Sequence, residues 1–286
     1  MTSGRSDPDT SPLHILNLMK SSILLLLTLS ASLLLGRAAA QCDSCGYQAE
    51  VYVSAMGDSL PYRLLVPDSL VPGQRYPLVL FLHGAGERGR DNCEQLRHGA
   101  ALFTDSGARR RHPAFVLFPQ CPAGEFWPAI TRQDHFGRVP NPFPGAGAAM
   151  SRPLRLANEL LDEALVQLPI DSERVYIVGL SMGGMGVFDL VCRRPSRFTA
   201  AVAICGGVNV QRLAGLRGSR TRFRVVHGAA DPLVPVRFSR EAVQALRRVG
   251  VSVDYIELPG VGHGSWFDTF RRPDFLPWLF QTKNEK

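Results

Sequence analysis

Val175-Tyr176-Ile177-Val178-Gly179-Leu180-Ser181-Met182-Gly183-Gly184-Met185-Gly186 decides the reading of this chain. Val175 to Val178 is rich in β-branched and aromatic residues and predicts a buried strand. Gly179-Leu180-Ser181-Met182-Gly183 is a G-x-S-x-G pattern, and the apolar segment from Gly184 to Cys192 predicts a short buried helix. A bare G-x-S-x-G is a weak signal, because glycine and serine are common in turns. Strand, sharp turn and helix together are the context that gives it meaning. Such a turn holds its central serine in a strained conformation, and the flanking glycines let strand and helix backbones approach without Cβ clashes. The Ser181 hydroxyl is then lifted to the carboxyl edge of a sheet. The Met182 amide falls at a helix start, where developing negative charge is favoured.

Outward from this corner, short apolar runs alternate with helical patterns. Gln48–Met56 and Tyr62–Val66 predict two strands joined through Gly57-Asp58. Tyr76–Leu82 and Pro113–Phe118 are continuous apolar runs suited to a buried parallel sheet. Residues 123–149, rich in Gly and Pro, predict an irregular excursion over the strand ends. Arg155–Leu168 has apolar residues at helical spacing. Ala200–Ile204, Phe223–Val226 and Val251–Leu258 predict further strands, Ser239–Val249 a helix and Phe275–Phe280 a closing helix. The alternation implies an α/β fold, with a mostly parallel central sheet covered on both faces by helices.

In open α/β sheets functional groups gather at the carboxyl ends of strands. Ser181 is the candidate nucleophile there. A serine hydroxyl needs a neighbouring base, and His263, in a glycine-flanked loop after the last strand, is the candidate. Asp231, after the preceding strand, is the candidate to orient the imidazole and support its charged form. Asp231-Pro232 also reads as a simple turn initiator, and His263 as a loop residue. His227 is a rival base, but its place directly after a strand predicts local packing or hydrogen bonding. The order Ser…Asp…His is that of the α/β-hydrolases. His83-Gly84-Ala85-Gly86 follows a strand with unobstructed backbone amides. Ala85 or Gly84 is the candidate second oxyanion donor, with Met182 the first. No Lys-Ser/Thr pair accompanies these glycines, so a phosphate cradle is disfavoured.

Read together, LFLHGAGERG, FPQCP, IDSERVYIVGLSMGGMG, ICGG, HGAADPLVPV and GVGHGSW resemble the α/β-hydrolase esterases. The likeness is to the secreted bacterial group related to polyhydroxybutyrate-depolymerase-like and feruloyl- or acetyl-esterase-like enzymes, also labelled dienelactone hydrolase, phospholipase/carboxylesterase or prolyl-oligopeptidase-like. It runs from about Tyr62 to Leu279. The resemblance implies a serine carboxylesterase working through an acyl-enzyme, with Ser181, Asp231 and His263 as the triad and Ala85 and Met182 at the oxyanion hole. It implies Trp127 on the wall of the substrate site, with Trp266 a further candidate contact. No metal site and no cofactor are implied. A small serine peptidase of the prolyl-oligopeptidase type is the alternative, and a non-catalytic binding module a remoter one. The absence of a propeller and of a long insertion between Cys205 and Phe223 weighs against peptidase and lipase readings.

The N-terminus bears on where the enzyme acts. Ile23–Leu35 is apolar and too short to span a bilayer comfortably. Lys20 precedes it and Ala38-Ala39-Ala40 follows as an A-x-A site. Residues 1–40 therefore predict a secretory signal cleaved after Ala40, with Met19 a candidate true start. Residues 41–60 would form an N-terminal segment with the first strand, and residues 61–286 the catalytic domain. The expected location is secreted or periplasmic, without stable membrane insertion. The 286 residues carry a net charge of +7 and six cysteines. An exported chain permits disulfides among Cys42, Cys45, Cys93, Cys121, Cys192 and Cys205, but the spacing does not pair them. The dense cluster Arg109-Arg110-Arg111-His112 predicts a solvated loop. Nothing suggests nucleic-acid binding. The expected partner is a small-molecule or polysaccharide-linked ester.

Overall fold

The computed structural model describes residues 46–130 and 141–281. The predicted signal, Met19, Cys42 and Cys45 lie outside the described residues, as do residues 131–140 of the excursion. Eight strands form one sheet in the order β1-β2-β4-β3-β5-β6-β7-β8. They are β1 (Gln48–Val53), β2 (Ser59–Leu65), β3 (Tyr76–Leu82), β4 (Phe115–Pro119), β5 (Ile170–Leu180), β6 (Ala200–Ile204), β7 (Arg222–Gly228) and β8 (Val253–Leu258). β1 and β2 form the predicted antiparallel hairpin, with Val53 opposite Ser59. β2 also runs antiparallel to β4, and every other pairing is parallel. The arrangement is the α/β-hydrolase fold.

All seven residues of β3 are buried. That explains its unbroken apolar sequence: a central parallel strand is covered on both faces. Side chains alternate between the faces. Leu78, Leu80 and Leu82 join Val175, Ile177, Phe223 and Val225 in the larger core. Over this face pack α3 (Arg152–Gln167), α4 (Met182–Arg193) and α5 (Arg237–Arg248). On the other face, Phe81 meets Phe103 of α1 (Ala100–Thr104) and Phe270 of α6 (Ser265–Arg271). Tyr176 meets Phe280 of α7 (Phe275–Phe280) there in an edge contact. Each fully buried Leu, Val or Phe contributes roughly 1.5–3 kcal/mol, so the two-sided core is the main stabilising term.

The structure differs from the sequence reading at three places. Arg109–Arg111 do not lie in a loop. They belong to the helix α2 (Ser106–Arg111), whose first turn is capped by the Asp105 side chain, which accepts from Ala108 N–H. Arg109 is tied to Asp68 and to the Val66 carbonyl. Charge density hid the helix because only Ala108 is buried. β5 begins at Ile170, not Val175: Ile170 pairs with Tyr76, the register shifts, and Val175 pairs with Leu78. Finally, Val210–Leu216 forms a 3₁₀ helix between β6 and β7, with Leu213 and Leu216 fully buried. The stretch seals the core and is no lid.

Candidate active site

Ser181 stands between β5 and α4 at φ 53°, ψ −117°. A positive φ is rare for a non-glycine residue and costs of order 1–3 kcal/mol. The surroundings enforce it. The Ser181 amide donates to the Ile204 carbonyl at 2.8 Å. A Cβ on Gly179 would lie 2.3 Å from the Gly183 carbonyl oxygen, and one on Gly183 would lie 1.9 Å from that of Leu82. The two glycines are therefore required by backbone contact with each other and with β3.

Ser181, His263 and Asp231 come together in one hydrogen-bonded row. Ser181 Oγ lies 2.9 Å from His263 Nε2. His263 Nδ1–H donates to Asp231 Oδ2 at 2.7 Å. Asp231 comes from the turn after β7, and His263 from the loop after β8, two neighbouring parallel strands. Asp231 Oδ1 accepts the amides of Leu233 and Val234 at 2.9 and 3.0 Å. The turn-initiator reading of Asp231 is thus also correct: one oxygen shapes the turn while the other holds the imidazole. Burial alone would raise its carboxyl, but hydrogen bonds from His227, His263 and the two amides hold it well below the usual range. It is ionised at neutral pH and can support a positive imidazolium.

Met182, at the first position of α4, has an amide with no carbonyl one turn earlier to receive it. Opposite, Gly84 precedes a 3₁₀ turn at Ala85–Glu87. His83 fixes this peptide. Its Nδ1–H donates to the Gly84 carbonyl at 2.6 Å, and its Nε2 accepts the Cys121 amide at 2.9 Å. In a trans peptide the N–H points opposite to the C=O. The Ala85 amide is therefore turned away from His83, and Ala85 lines the cleft with Ser181 and Met182. Of the two candidate donors, the geometry favours Ala85 over Gly84. Burial pushes the His83 imidazole down to about 4, so it stays neutral in this role.

The cleft has a volume of about 540 Å³. Phe126, Ile130, Met185, Leu233, Val234 and Trp266 give it an apolar wall. Trp266 stands there edge-on to His263, with ring centroids 5.4 Å apart. Trp127 does not. It is fully buried beneath the cleft, its indole N–H donating to the His83 carbonyl at 3.0 Å. The large apolar body of tryptophan fits either place, and only packing against Gly186 and His83 distinguishes them. Its neighbour Phe126 takes the wall position. The sequence reading missed Phe126, Ile130, Leu233 and Val234, because isolated apolar residues in turns carry no periodic signal.

Among the described residues one group converges as metal ligands would: Cys205, Asp231 and His263, with ligand atoms within 4.8 Å of one another. Asp231 and His263 are already bonded to each other. Burial pushes the Cys205 thiol up to about 12, and a thiol binds metal as thiolate, so the set fits a resident metal poorly. Cys93 is disulfide-bonded, whereas Cys121, Cys192 and Cys205 carry free thiols. None of the described helices is long and apolar enough to cross a membrane.

A mostly parallel eight-stranded sheet with a strained serine at the β5–α4 corner defines an α/β-hydrolase, an enzyme class built on strand-end loops. Residues 72–272 match the phospholipase/carboxylesterase family, and the chain belongs to that family. It is a serine hydrolase acting on carboxylic ester bonds. Lysophospholipase-like protein 1 from Mus musculus is 24% identical over 218 residues, covering 72% of this chain and 88% of that protein. Probable feruloyl esterase C from Aspergillus terreus is 24% identical over 217 residues, covering 74% of this chain and 70% of that protein. A thermostable esterase of known structure is 36% identical with a TM-score of 0.74. That match covers 82% of this chain and 62% of the other, so the chain spans less than two thirds of it.

Proposed function

We propose that the protein is a secreted or periplasmic serine carboxylesterase, with Ser181 as nucleophile, His263 as general base and acid, and Asp231 as its support. One observation carries the reading: the continuous row Ser181 Oγ–His263–Asp231, at 2.9 and 2.7 Å, opening on an apolar cleft. His263 Nε2 takes the Ser181 proton as Oγ attacks the ester carbonyl. The tetrahedral oxyanion rests on the amides of Met182 and Ala85. His263 then returns the proton to the departing alcohol. Water, activated by the same nitrogen, releases the acid and restores Ser181. The apolar wall suits an ester with a compact aliphatic or aromatic group. The export signal read in residues 1–40 supports action outside the cytoplasm.

The test is a panel of p-nitrophenyl esters against p-nitroanilide peptides. Ester turnover should dominate, with covalent labelling by a fluorophosphonate. Ser181→Ala should abolish labelling and lower kcat by about 10⁴-fold or more, with Tm unchanged. Near-normal hydrolysis by that variant would overturn the nucleophile assignment. Sequencing the N-terminus of exported protein tests the leader: it should begin near Gln41.

A further inference from the structure

His227 is fully buried at the end of β7 and takes no part in the scheme above. Its surroundings are nevertheless specific. Nδ1 faces the Ser239 hydroxyl at 2.7 Å. Nε2 lies 2.8 Å from the Val234 carbonyl and 3.2 Å from Asp231 Oδ2. A backbone carbonyl and an ionised carboxylate can only accept, so Nε2 must carry a proton. That N–H donates first to the Val234 carbonyl, with Asp231 Oδ2 as a second, longer contact, so Oδ2 faces two imidazole nitrogens, His263 at 2.7 Å and His227 at 3.2 Å. The carboxylate as a whole accepts three hydrogen bonds, two amides on Oδ1 and His263 on Oδ2, with His227 Nε2 a fourth, longer contact at 3.2 Å.

We infer that His227 is a positioning residue of this site, acting through Asp231 on the orientation and basicity of His263. The inference rests on the Ser181–His263–Asp231 reading above. Two consequences follow from the geometry. The second N–H fixes the carboxylate plane, so that Oδ2 stays aimed at His263 Nδ1. It also draws charge from Oδ2, so that Asp231 supports the imidazolium less strongly than a carboxylate with one imidazole donor would. The depressed carboxyl of Asp231, for which His227 is the foremost stabilising partner, agrees with this sharing. The ionisable groups around His263 are Ser181, Asp231 and the Cys205 thiol. Around His227 they are Asp231 and, in register on β8, Glu257. Glu257 is engaged by Arg240 and Tyr255, which leaves Asp231 as the charged group that His227 Nε2 contacts, beside the Val234 carbonyl.

The experiment compares His227→Leu, His227→Gln and Ser239→Ala by full pH–rate profiles on one short p-nitrophenyl ester, beside Ser181→Ala. Losing a hydrogen bond to a charged group lowers kcat by about tenfold to a hundredfold. That loss is expected in His227→Leu, with KM within about twofold. Its acidic limb of kcat/KM should move to higher pH, because an unshared Oδ2 favours the imidazolium. Glutamine can place an amide N–H where Nε2 stands, so His227→Gln should restore much of the rate and the wild-type limb. Ser239→Ala removes the Nδ1 partner and should shift the limb in the same direction by less. If His227→Leu fails to fold, His227→Gln and Ser239→Ala decide. An unmoved limb in Ser239→Ala and His227→Leu, or equal loss of kcat in the leucine and glutamine variants without a limb shift, would overturn the inference. An active Ser181→Ala would instead overturn the reading beneath it, so the two failures are distinguishable.

Discussion

Ala85 carries the sharpest prediction at the scale of single residues. Its amide is assigned to the oxyanion on the strength of the His83–Gly84 hydrogen bond. Ala85 opens a 3₁₀ turn, and Gly84 before it is extended at φ −77°, ψ −177°. Proline is tolerated at a first helical position and wants an extended residue before it. Ala85→Pro should therefore keep the fold and delete one donor. The expected result is a fall in kcat of about 10²–10³-fold with KM little changed and Tm unaltered. Stopped-flow and thermal denaturation measure both, and activity within a few-fold of wild type would place the donor elsewhere. At this scale the sequence offered Ser181, Asp231 and His263 as candidates because each stands in a turn or loop at the carboxyl end of a strand, and the structure brings the three within hydrogen-bonding distance. It was least informative for Trp127 and Phe126, adjacent residues of similar character whose fates are opposite: one is buried under the cleft, the other lines it.

The β5–turn–α4 element depends on backbone contacts that no larger residue permits. A Cβ at Gly183 would sit 1.9 Å from the Leu82 oxygen and 2.7 Å from that of His83. Neither is the end of a flexible side chain, so α4 would have to leave β3. Gly183→Ala should cost more than about 3 kcal/mol, seen as insoluble protein or a much lower urea midpoint. Gly215 is the matched control. It lies in the 3₁₀ helix at Val210–Leu216 with open space where its Cβ would be. Gly215→Ala should be neutral or stabilise by about 0.4–1 kcal/mol through the unfolded chain. Helices with an apolar stripe were legible as elements: α3 buries Leu154, Leu156, Ala157, Leu160, Leu161 and Ala164. α1 and α2 were not, because each is short and anchored by one or two buried residues, too few to make a period.

The whole molecule should lose stability in acid in two stages. His83 is buried and its imidazole is pushed down to about 4. The unfolded chain takes up that proton near pH ~6.5, whereas the native state resists it. Between these values the unfolded state binds more protons, so stability falls as pH falls. The loss across the window is about 3 kcal/mol at roughly 1.4 kcal/mol per pH unit. Below about pH 4 a second loss begins, as carboxylates held low in the native state, Asp231 among them, must be protonated. Their contribution is present above the unfolded value and disappears as pH drops through the folded one. Urea midpoints from pH 7.5 to 4.5 test the first stage, and His83→Gln should flatten that slope. A midpoint constant across this range would show that His83 is not held neutral.

The sequence by itself determined the fold class and marked which reactive side chains stand in turns at the strand ends. Both are local: strand runs, helical periods and glycine-rich turns report the backbone conformations that neighbouring residues permit. Strand order, and hence which loops meet, came only with the tertiary structure. β4 inserts between β2 and β3, and β7 lies beside β8, through pairings between residues far apart in the chain. That pairing brings His263 to Asp231 and sets His227 on the other side of the same carboxylate. A histidine at the end of a strand looks the same in sequence whether it only packs locally or also touches a carboxylate. The difference is a distance of 3.2 Å, set by how the turn at residues 228–234 folds back, and no local pattern encodes it.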